Sequence, residues 1–513
     1  MKIVTKAEMQ AIEKSAHMNG ISTDTLMKNA GRGIADNAEI IMGGVQGKSV
    51  VVLIGAGNNG GDGIISAVYL RNYGASVTIF ICVKSRVQDK NIKKAESLGI
   101  LVYDVSEGDK DRIVFNKCLK ADLIIDGILG TGNNRQIKQP LSEILSGASE
   151  SNTTVLAIDV PTGLDSDTGC FDEHGLKANV TGALGYAKLG SISNQDRTIS
   201  GSIKVIDIGI PNGLDTKIQK EIIDKPLIQK LLPVRKNNTN KGTFGKTIIF
   251  AGSPSYIGAA ALAGRAALRS GVGLVCLALS ARVYEQISGT IDEVIFHVMP
   301  KNDNDDFILN KSAGQLAKKS GNFGSFLIGP GLGQEVETIK FFKTLIKSID
   351  NSVPLIFDAD ALNILSNIHK WWEIIDNPKI LTPHPGELSR LLGISVKNIQ
   401  ENRIETAKIA SKTFNSIVVL KGAGTIIADP KKYVRISPWA NSGLAKAGTG
   451  DVLSGLLAGI LAQMPNPLFD AASLSVYLHG LAGDLSKKKY GTYGMVASDV
   501  ISCLPDAFRT FHD

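Results

Sequence analysis

The chain has 513 residues, more than one hydrophobic core usually supports, so two or more domains are expected. Apolar residues make up 43% and charged residues 20%, as in soluble globular proteins, and the net charge of +7 is spread along the chain, which argues against a nucleic-acid partner. Five widely spaced cysteines, no long uncharged apolar run and no signal-peptide pattern disfavour disulfide-rich, zinc-binding, membrane and secreted classes, so a cytoplasmic protein is expected.

Between Lys48 and about Ile210, short apolar strands alternate with helical segments. Continuous apolar runs of this kind are typical of a parallel sheet whose two faces are both covered by helices. The first half is therefore predicted to be an α/β domain, Rossmann-like with three αβα layers. The predicted strands lie in SVVVLIG (49–55), SVTIFICV (76–83), ILVYDV (100–105), ADLIIDGIL (121–129) and TTVLAIDV (153–160).

A glycine motif directly follows the first of these strands. Gly55, Gly57 and Gly60 have the spacing of the dinucleotide-binding fingerprint, which favours a nicotinamide cofactor. That fingerprint also needs an acidic residue at the end of the second strand, and the segment TIFICVKSR has none there, although Lys84 or Arg86 suits a phosphorylated ribose. A dehydrogenase is therefore one hypothesis for this domain.

Three loops that follow predicted strands are rich in polar residues and glycine. Because the carboxyl ends of parallel strands meet at one edge of a sheet, where ligands bind, these loops predict a binding site. Their carboxylate, amide and hydroxyl oxygens suit an alkali or alkaline-earth cation. The simpler alternative is a set of turns with Asp62 as a helix cap. The loop residues are Asn58, Asn59 and Asp62, then Asp126, Gly130, Thr131 and Gly132, and finally Asp159, Thr162, Gly163 and Asp165.

The composition changes after about residue 211, and a domain boundary is predicted near Ile223, between domains of residues 1–223 and 224–513. The second half repeats the α/β alternation. Its glycine motifs differ from those of the first half, which indicates two different modules and not an internal repeat. Strands are expected in KTIIFAGS, LVCLALS, SFLIGPG, PLIFDADALN, ILTPHPGE and SIVVLKGAGTIIADP.

The segment AKAGTGDVLSGLLAGILAQ is the most informative part of the second half. Gly448, Thr449 and Gly450 open a long apolar helix, so their amides and the helix dipole favour an anion. Asp451 lies just inside the helix and is a candidate base for a bound hydroxyl, with a capped core helix as the alternative. The segment GTFGKT is not a P-loop, because Asn240 stands where the first glycine belongs and because the segment precedes its strand.

Five further loops at strand ends are expected to converge with this helix. Lys421 precedes Gly-Ala-Gly-Thr, which suits a nucleotide phosphate better than a solvated strand end. His384 lies between two prolines in a rigid, non-helical loop and is interpreted as a site residue, although a lone histidine more often has a structural role. The loops contain Gly258 and Ala259, Gly331 and Gly333, Asp358, Asp360 and Asn363, His384 and Glu387, and Lys421 to Thr425.

The motifs GNNGGDG, DGILGTG and AIDVPTGLD together resemble the NAD(P)H-hydrate epimerases over about Met1 to Pro211. The resemblance implies a potassium site at Asn59, Asp126 and Thr162. Lys28 stands where the family usually has Glu, and Thr162 stands where Ser is common, which keeps the hydroxyl. The substrate-binding residues implied are Asn58, Asn59, Gly60, Gly61, Asp62, Gly130, Thr131, Gly132, Asn133, Asn134, Arg135, Gln136 and Asp159.

The second half is similar to the ribokinase-like superfamily and, within it, to the ADP- or ATP-dependent NAD(P)H-hydrate dehydratases, over about Leu227 to His512. The motifs GPGLG, DADALN, TPHPGE, LKGAGT and NSGLAKAGTGDVLSG occur in the same order. Asn240 replaces a usual His, and Ala447 replaces a frequent Gly. The resemblance implies that Lys421, Gly422, Ala423, Gly424, Thr425 and Gly450 bind the adenine nucleotide, and that Ala259, Gly331, His384 and Asp451 contact the hydrate.

The reaction that the resemblance implies is repair of NADH and NADPH that have added water at C6 of the nicotinamide ring (NADHX and NADPHX). The C6 hydroxyl is phosphorylated by ADP or ATP with magnesium, with Asp451 as base, and phosphate then leaves. Asp159, or less favourably Lys188, serves the exchange of R and S epimers, and the protein is expected to form a homo-oligomer. The alternative is a vitamin or sugar kinase fused to a non-catalytic nucleotide-binding module.

Overall fold

The computed structural model describes residues 1–85, 89–109, 112–132, 136–193, 196, 198–300, 309–464 and 468–511. The chain divides into two compact units, Met1–Lys220 (unit 1) and Glu221–Asp513 (unit 2). Each unit is built on its own large sheet with helices packed against it, and the α/β fold class predicted from the alternation of strands and helices is confirmed.

The main sheet of unit 1 has the strand order β4-β3-β2-β5-β6-β7-β9, and all neighbouring strands in it are parallel. A separate two-stranded sheet pairs β1 with β8. The elements of unit 1 are β1 (Ile3–Val4), α1 (Lys6–Met18), α2 (Thr23–Met42), β2 (Ser49–Ile54), α3 (Asn58–Asn72), β3 (Ser76–Ile81), α4 (Asp89–Ser97), β4 (Leu101–Asp104), α5 (Ile113–Cys118), β5 (Leu123–Gly127), α6 (Leu141–Glu150), β6 (Val155–Ile158), β7 (Val180–Leu184), β8 (Ala187–Lys188), α7 (Leu189–Ser193) and β9 (Ser202–Ile206).

Strand β2 shows why the predicted strands are apolar at every position. Val50, Val52 and Ile54 belong to one buried cluster, whereas Val51 and Leu53 belong to a second cluster. Successive side chains of a strand point to opposite faces of the sheet, so both faces of β2 are covered and no polar alternation is expected. All five strands predicted for this half are confirmed.

The sequence does not predict β7 and β9. Strand β9 lies at the edge of the sheet, and its Ser202, Lys204 and Val205 are exposed. An edge strand of this kind lacks the continuous apolar run of its buried neighbours. Strand β7 contains Gly182, and glycine is depleted in strands because it has no side chain to pack there.

The sheet of unit 2 has the order β10-β19-β18-β17-β16-β15-β14-β11-β12-β13. Strands β11 to β17 are joined in parallel, and β17, β18 and β19 are antiparallel to one another. The elements are β10 (Lys220–Ile222), α8 (Lys225–Leu231), β11 (Lys246–Phe250), α9 (Ile257–Arg269), β12 (Leu274–Leu279), α10 (Ala281–Ile287), β13 (Ile295–Val298), α11 (Leu309–Ser320), β14 (Ser325–Ile328), α12 (Val336–Ile346), β15 (Leu355–Phe357), α13 (Asp360–Ser366), β16 (Lys379–Leu381), α14 (Pro385–Leu392), α15 (Val396–Glu401), α16 (Arg403–Phe414), β17 (Ile417–Leu420), β18 (Ile426–Ala428), β19 (Val434–Ile436), α17 (Thr449–Gln463), α18 (Leu468–Gly494) and α19 (Ala497–Arg509).

The strand order places the predicted loops of each unit together. In unit 1, β2, β5 and β6 are adjacent, so the loops that follow them share one edge of the sheet. In unit 2, β17, β16, β15, β14 and β11 are consecutive and parallel, and each is followed by one of the five predicted loops. Among the described helices of both units, none is long and apolar enough to cross a lipid bilayer.

Candidate active sites

Unit 1 contains a cavity of about 650 Å³ that the loops after β2, β5 and β6 line together with α1 and α2. A cavity of this size is typical of small-molecule sites. Its wall therefore includes residues from all three polar loops that the sequence singles out. The predicted substrate-binding residues found in this wall are Asn58, Asn59, Asp62, Gly130, Thr131, Gly132 and Asp159.

Other predicted residues of unit 1 lie elsewhere. Gly60 and Gly61 are buried in the first turn of α3, and Gln136 is exposed, so in the described part of the chain these three do not line the cavity. A Cβ at Gly61 would lie 3.0 Å from the sulfur of Met27, so this glycine serves the close packing of α2 on α3. Asn133, Asn134 and Arg135 lie outside the described residues.

Asp159 forms a buried ion pair with Lys188, whose side chain is only 1% exposed. The Lys188 ammonium also donates to the backbone oxygens of Leu184 (2.8 Å) and Tyr186 (3.0 Å), and the Leu184 amide donates to Asp159 Oδ1 (3.0 Å). Asp159 has φ of +68°, a conformation that residues other than glycine adopt rarely and that the surrounding contacts must hold. Together these contacts fix one charged carboxylate in the cavity wall.

Asp62 is a second buried carboxyl group in the same wall, with 5% of its surface exposed. Burial raises the pKa of Asp62 well above its usual range, and the negative charges of Asp159 and Glu13 raise it further. Helix α3 begins after Gly57 without a side-chain cap, so the alternative that Asp62 is a helix cap is wrong.

Glu13 of α1 adds a third carboxyl group to this wall; the residue is exposed, and partial desolvation at the cavity raises its pKa. No motif in the sequence marks Glu13, because α1 shows only an ordinary mixture of charged and apolar residues. Only the packing of α1 in unit 1 brings this side chain to the cavity wall.

Asp126, Thr162 and Asn59 lie at the neighbouring strand ends. Asp126 is fully buried and accepts hydrogen bonds from the Thr162 amide (2.8 Å) and hydroxyl (2.6 Å). Burial raises the pKa of Asp126 to about 6 in spite of these bonds. The side-chain nitrogen of Asn59 donates to the backbone oxygen of Ile158 (3.0 Å). This bond does not use the side-chain oxygen of Asn59. In the described part of the chain no lysine or arginine pairs with Asp126.

In unit 2, Lys421 lies at the centre of a cluster of acidic side chains. Its Nζ is 2.8 Å from Asp358 Oδ1 and 3.7 Å from Glu387 Oε2, and both carboxylates are at least 95% buried. Burial by itself would lower the pKa of Lys421. The negative charges of Asp358, Glu387 and Asp451 have the larger effect, so the pKa is raised. A Cβ at Gly450 would lie 3.6 Å from Nζ, so Lys421 also reaches the first turn of α17.

Asp451 lies in that first turn and is partly buried. Burial and the nearby Asp358 raise the pKa of Asp451 to about 7, whereas Lys421 opposes the shift. A carboxyl group with such a pKa exchanges protons readily at neutral pH.

The start of α17 is not a capped helix end, so the capped-core alternative is not supported. The helix begins after Gly448 (φ +87°) with no side-chain cap, and the Thr449 hydroxyl donates to the oxygens of Leu444 (2.8 Å) and Lys446 (2.9 Å). The Nε2 atom of the buried His479 forms a 3.0 Å hydrogen bond with the backbone oxygen of Thr449. The uncapped amides at this end remain available to an anion.

His384 has a structural contact in addition to its predicted role. It caps α14, because its Nδ1 accepts from the amides of Gly386 (2.9 Å) and Glu387 (3.3 Å). Its other nitrogen, Nε2, lies 3.4 Å from Glu387 Oε1, and half of the side chain is exposed. Burial lowers the pKa of His384 and raises that of Glu387 to about 7. His384 itself is non-helical, as the sequence predicts, but Pro385 after it is the first residue of α14, a position that suits proline.

Ala259 and Gly331 come together from two loops. A Cβ at Gly331 would lie 2.8 Å from the Ala259 Cβ and 2.7 Å from the Tyr256 Cβ, and φ of Gly331 is +60°, so only glycine fits. Asp360 joins the same region by accepting a hydrogen bond from the Gly333 amide (2.9 Å). The glycine loop of residues 421–425 connects β17 to β18, and its Lys421 contacts Asp358, which follows β15.

Comparison with known proteins adds three findings. Residues 247–506 match the family model of the NAD(P)H-hydrate dehydratases, and residues 23–190 match that of the YjeF-related protein N-terminus. The chain is 33% identical over its whole length to the bifunctional NAD(P)H-hydrate repair enzyme Nnr of Moorella thermoacetica, 98% of which is covered, and 31% identical over 88% of its length to that of Escherichia coli, 84% of which is covered.

Among solved structures, an ADP/ATP-dependent NAD(P)H-hydrate dehydratase from Bacillus subtilis, co-crystallised with ATP and Mg²⁺, is 29% identical with a TM-score of 0.50 and covers 57% of this chain and 98% of its own. A ribokinase-like protein from Enterococcus faecalis, 23% identical with a TM-score of 0.50 over 57% of this chain and 96% of its own, has the same fold. The ribokinase-like fold expected for the second half is thereby confirmed.

Proposed function

The chain belongs to the bifunctional NAD(P)H-hydrate repair enzymes, and from that premise we propose how its two units divide the work. The enzyme epimerises the R and S hydrates of NADH and NADPH and dehydrates the S form to NAD(P)H at the expense of an adenine nucleotide. We assign epimerisation to unit 1 and dehydration to unit 2. Dehydration consumes the S epimer, and epimerisation forms more S epimer from the R epimer. Two modules with different motifs can therefore repair all of the damaged cofactor.

The observation that carries the assignment of unit 1 is the cavity with the buried Asp159–Lys188 pair in its wall. Exchange of the C6 hydroxyl between the two faces of the ring requires proton transfer close to C6. Asp159 is the carboxylate that we assign to this transfer, and Lys188 keeps it charged and in place. The loop of Gly130, Thr131 and Gly132 provides backbone groups for the rest of the hydrate.

The residues Asn59, Asp126 and Thr162 fit a potassium ion. Asp126 is a buried carboxyl group that no cationic side chain of the described chain neutralises, and its neighbours offer a hydroxyl and an amide oxygen. Oxygen ligands of this kind suit alkali cations. A bound cation at this point would supply the positive charge that keeps Asp126 ionised and would order the strand ends beside the cavity.

We expect the thermal unfolding temperature of unit 1 to be higher in KCl than in NaCl at equal ionic strength, because an ion that binds only the folded state stabilises it. Asp126 has a raised pKa of about 6, so it is neutral below that pH and ionised above it. The potassium effect should therefore be small at pH 5 and grow as the pH rises above about 6. Calorimetry of the wild type and Asp126→Asn tests this, with the exposed Glu143→Gln as matched control; an equal potassium effect in Asp126→Asn would contradict the site.

For unit 2, the observation that carries the assignment is Lys421, which begins the glycine loop of residues 421–425 and whose ammonium reaches the first turn of α17. Lys421 and the uncapped amides of α17 bind and polarise the phosphoryl group of the nucleotide. Asp451 takes the proton of the C6 hydroxyl, whose oxygen attacks the terminal phosphorus. The phosphate then leaves C6 as the ring loses a proton at C5 and the double bond re-forms, so ADP would yield AMP and phosphate.

The acidic side chains around Lys421 also fit a divalent cation that arrives with the nucleotide. Asp358, Glu387 and Asp451 outnumber the single lysine, and the pKa values of Glu387 and Asp451 are both raised to about 7. The described residues hold no group of three His, Cys, Asp or Glu side chains arranged to bind a metal alone. Magnesium characteristically shares its ligands between a few carboxylates and substrate phosphates, and it would supply charge neutralisation there.

The full chain should convert a mixture of R and S hydrate completely into NADH when an adenine nucleotide and Mg²⁺ are present. Absorbance of the reduced nicotinamide ring measures the conversion, with ADP and ATP compared in parallel; we expect ADP to be the better donor. A kinase fused to a non-catalytic module would instead consume nucleotide with a vitamin or sugar substrate and would leave the R hydrate unchanged. If the NADH formed equals only the S hydrate present at the start, the assignment of epimerisation to unit 1 is contradicted.

A further inference from the structure

Asp62 occupies an unusual position in unit 1. It lies in the second turn of α3, lines the cavity, and is 5% exposed, yet it accepts no hydrogen bond from any described residue. By contrast, Asp159 in the same wall has a lysine and an amide as partners. Buried carboxyl groups without a donor are rare because desolvation of the charge is not offset.

The charged groups around Asp62 come from three elements. Lys6, Glu13, Lys14 and His17 line the cavity from α1. Asp159 follows β6, and Lys188 lies in β8. Glu13 and Asp159 disfavour a negative charge on Asp62, and the positive charge of Lys188 favours it but is already engaged by Asp159. Helix α2 also packs on α3, and it contributes the apolar Met27 and Gly31 there. The surroundings therefore favour the protonated form of Asp62, whereas Asp159 in the same wall has Lys188 as its ionic partner.

We propose that Asp62 is the general acid of the epimerisation and that it works with the Asp159–Lys188 pair as base across the same cavity. This inference rests on the proposed assignment of epimerisation to unit 1. Two carboxyl groups in one cavity wall, one without a hydrogen-bond donor among the described residues and one paired with a lysine, have the unlike surroundings that an acid–base pair requires. Asp62 contacts the substrate in this scheme and is a catalytic residue.

The chemistry balances without an added reactant. Asp62 donates its proton to the C6 hydroxyl, the C6–O bond breaks with its electron pair on oxygen, and the lone pair of N1 forms a double bond to C6. Water then adds to the opposite face of C6, the N1–C6 pair returns to N1, and the proton released goes to Asp159. Transfer of that proton from Asp159 to Asp62 through solvent restores the starting state, with one water lost and one gained.

Asp62→Asn in the full chain tests the proposal, since the amide has nearly the same shape but cannot act as an acid. The assay starts from pure R hydrate without nucleotide, so that no dehydration takes place. Chromatography measures the rate at which S hydrate forms, and the spontaneous rate is subtracted. We expect kcat for this conversion to fall by about 10²–10⁴-fold with little change in KM. In the wild type the rate should fall at alkaline pH as Asp62 loses its proton, and Asp62→Asn should lack that alkaline decline.

Glu13→Gln provides an independent readout. It removes a negative charge close to Asp62, so the alkaline decline should move to lower pH, a change that a purely structural role of Asp62 does not produce. The exposed Glu143→Gln is the matched control and should leave the profile unchanged. Thermal unfolding and dehydration of S hydrate with ADP verify that each variant is folded.

Three outcomes are distinguishable. A folded Asp62→Asn that keeps the wild-type rate, or that keeps the alkaline decline, overturns the role of Asp62 while the epimerase assignment stands. If Asp62→Asn does not fold, the Glu13→Gln profile decides, and an unshifted profile overturns the proposal. A wild-type chain that does not interconvert the epimers at all contradicts the proposed function itself.

Discussion

Asp451→Asn is expected to lower the rate of S-hydrate dehydration by about 10²–10⁴-fold, the usual contribution of a general base. The asparagine keeps the size of the side chain in the first turn of α17 but cannot accept the proton of the C6 hydroxyl. Binding of the nucleotide should persist or improve, because a negative charge near the phosphates is removed while Lys421 remains. Single-turnover kinetics measure the chemical step, and calorimetry measures nucleotide binding.

The pH dependence of the wild type gives a second test of Asp451. Its pKa is raised to about 7, so the side chain is neutral below that pH and becomes a base only above it. We therefore expect kcat/KM for dehydration to rise with pH up to about 7 and then to level off, since this ratio reports the free enzyme. Glu337→Gln, at a partly exposed position of α12 that pairs with Lys340, serves as control. An Asp451→Asn variant that retains single-turnover dehydration would show that another group is the base.

Asp159→Ala is expected to leave dehydration of the S hydrate intact and to slow conversion of the R hydrate by about 10²-fold or more. The substitution removes the carboxylate from the cavity wall and leaves the buried Lys188 without its ionic partner. With a mixed hydrate and ADP, NADH should form rapidly up to the S fraction and then only at the spontaneous rate of epimer exchange. An R-hydrate rate equal to that of the wild type would refute the role of Asp159.

The two variants also control for one another. Asp451→Asn should still interconvert the epimers without nucleotide, and Asp159→Ala should still dehydrate the S form. An equimolar mixture of the two proteins should regenerate NADH from the whole hydrate pool, because the S hydrate formed by one protein diffuses to the other. Failure of the mixture, with both single activities present, would mean that the hydrate must pass between units of one chain.

The fingerprint Gly55-x-Gly57-x-x-Gly60 illustrates what sequence spacing can and cannot predict. A Cβ at Gly55 would lie 1.9 Å from the Ile128 oxygen, so this glycine is required by the loop after β5 and not by a ligand. Gly57 lines the cavity with nothing within 4 Å of its Cβ position, which leaves room for a substrate. We interpret the motif as part of the site proposed for the damaged nicotinamide nucleotide, which would bind there as substrate and not as a hydride carrier.

The sequence by itself determined the two α/β modules, because buried parallel strands are continuously apolar, and it determined the family, because glycine and polar motifs occur in a fixed order at strand ends. It also named polar and glycine residues that line the cavity of unit 1, but it named none of the α1 and α2 residues in the same wall. Glu13 was missed because no local pattern distinguishes it from the other charged residues of α1. Strands β7 and β9 were missed because one contains glycine and the other is half in solvent.

Only the tertiary structure decided how the site residues are charged. Asp159 and Lys188 are 29 residues apart in sequence, and Lys421 and Asp358 are 63 apart, yet each pair is in direct contact. Asp62 and Asp126 both belong to the polar motifs around strand ends, and nothing in their neighbours along the chain separates them from Asp159. Their protonation depends on burial and on charges brought near by folding, because the free energy of an ion is set by its surroundings in space and not by its position in the sequence.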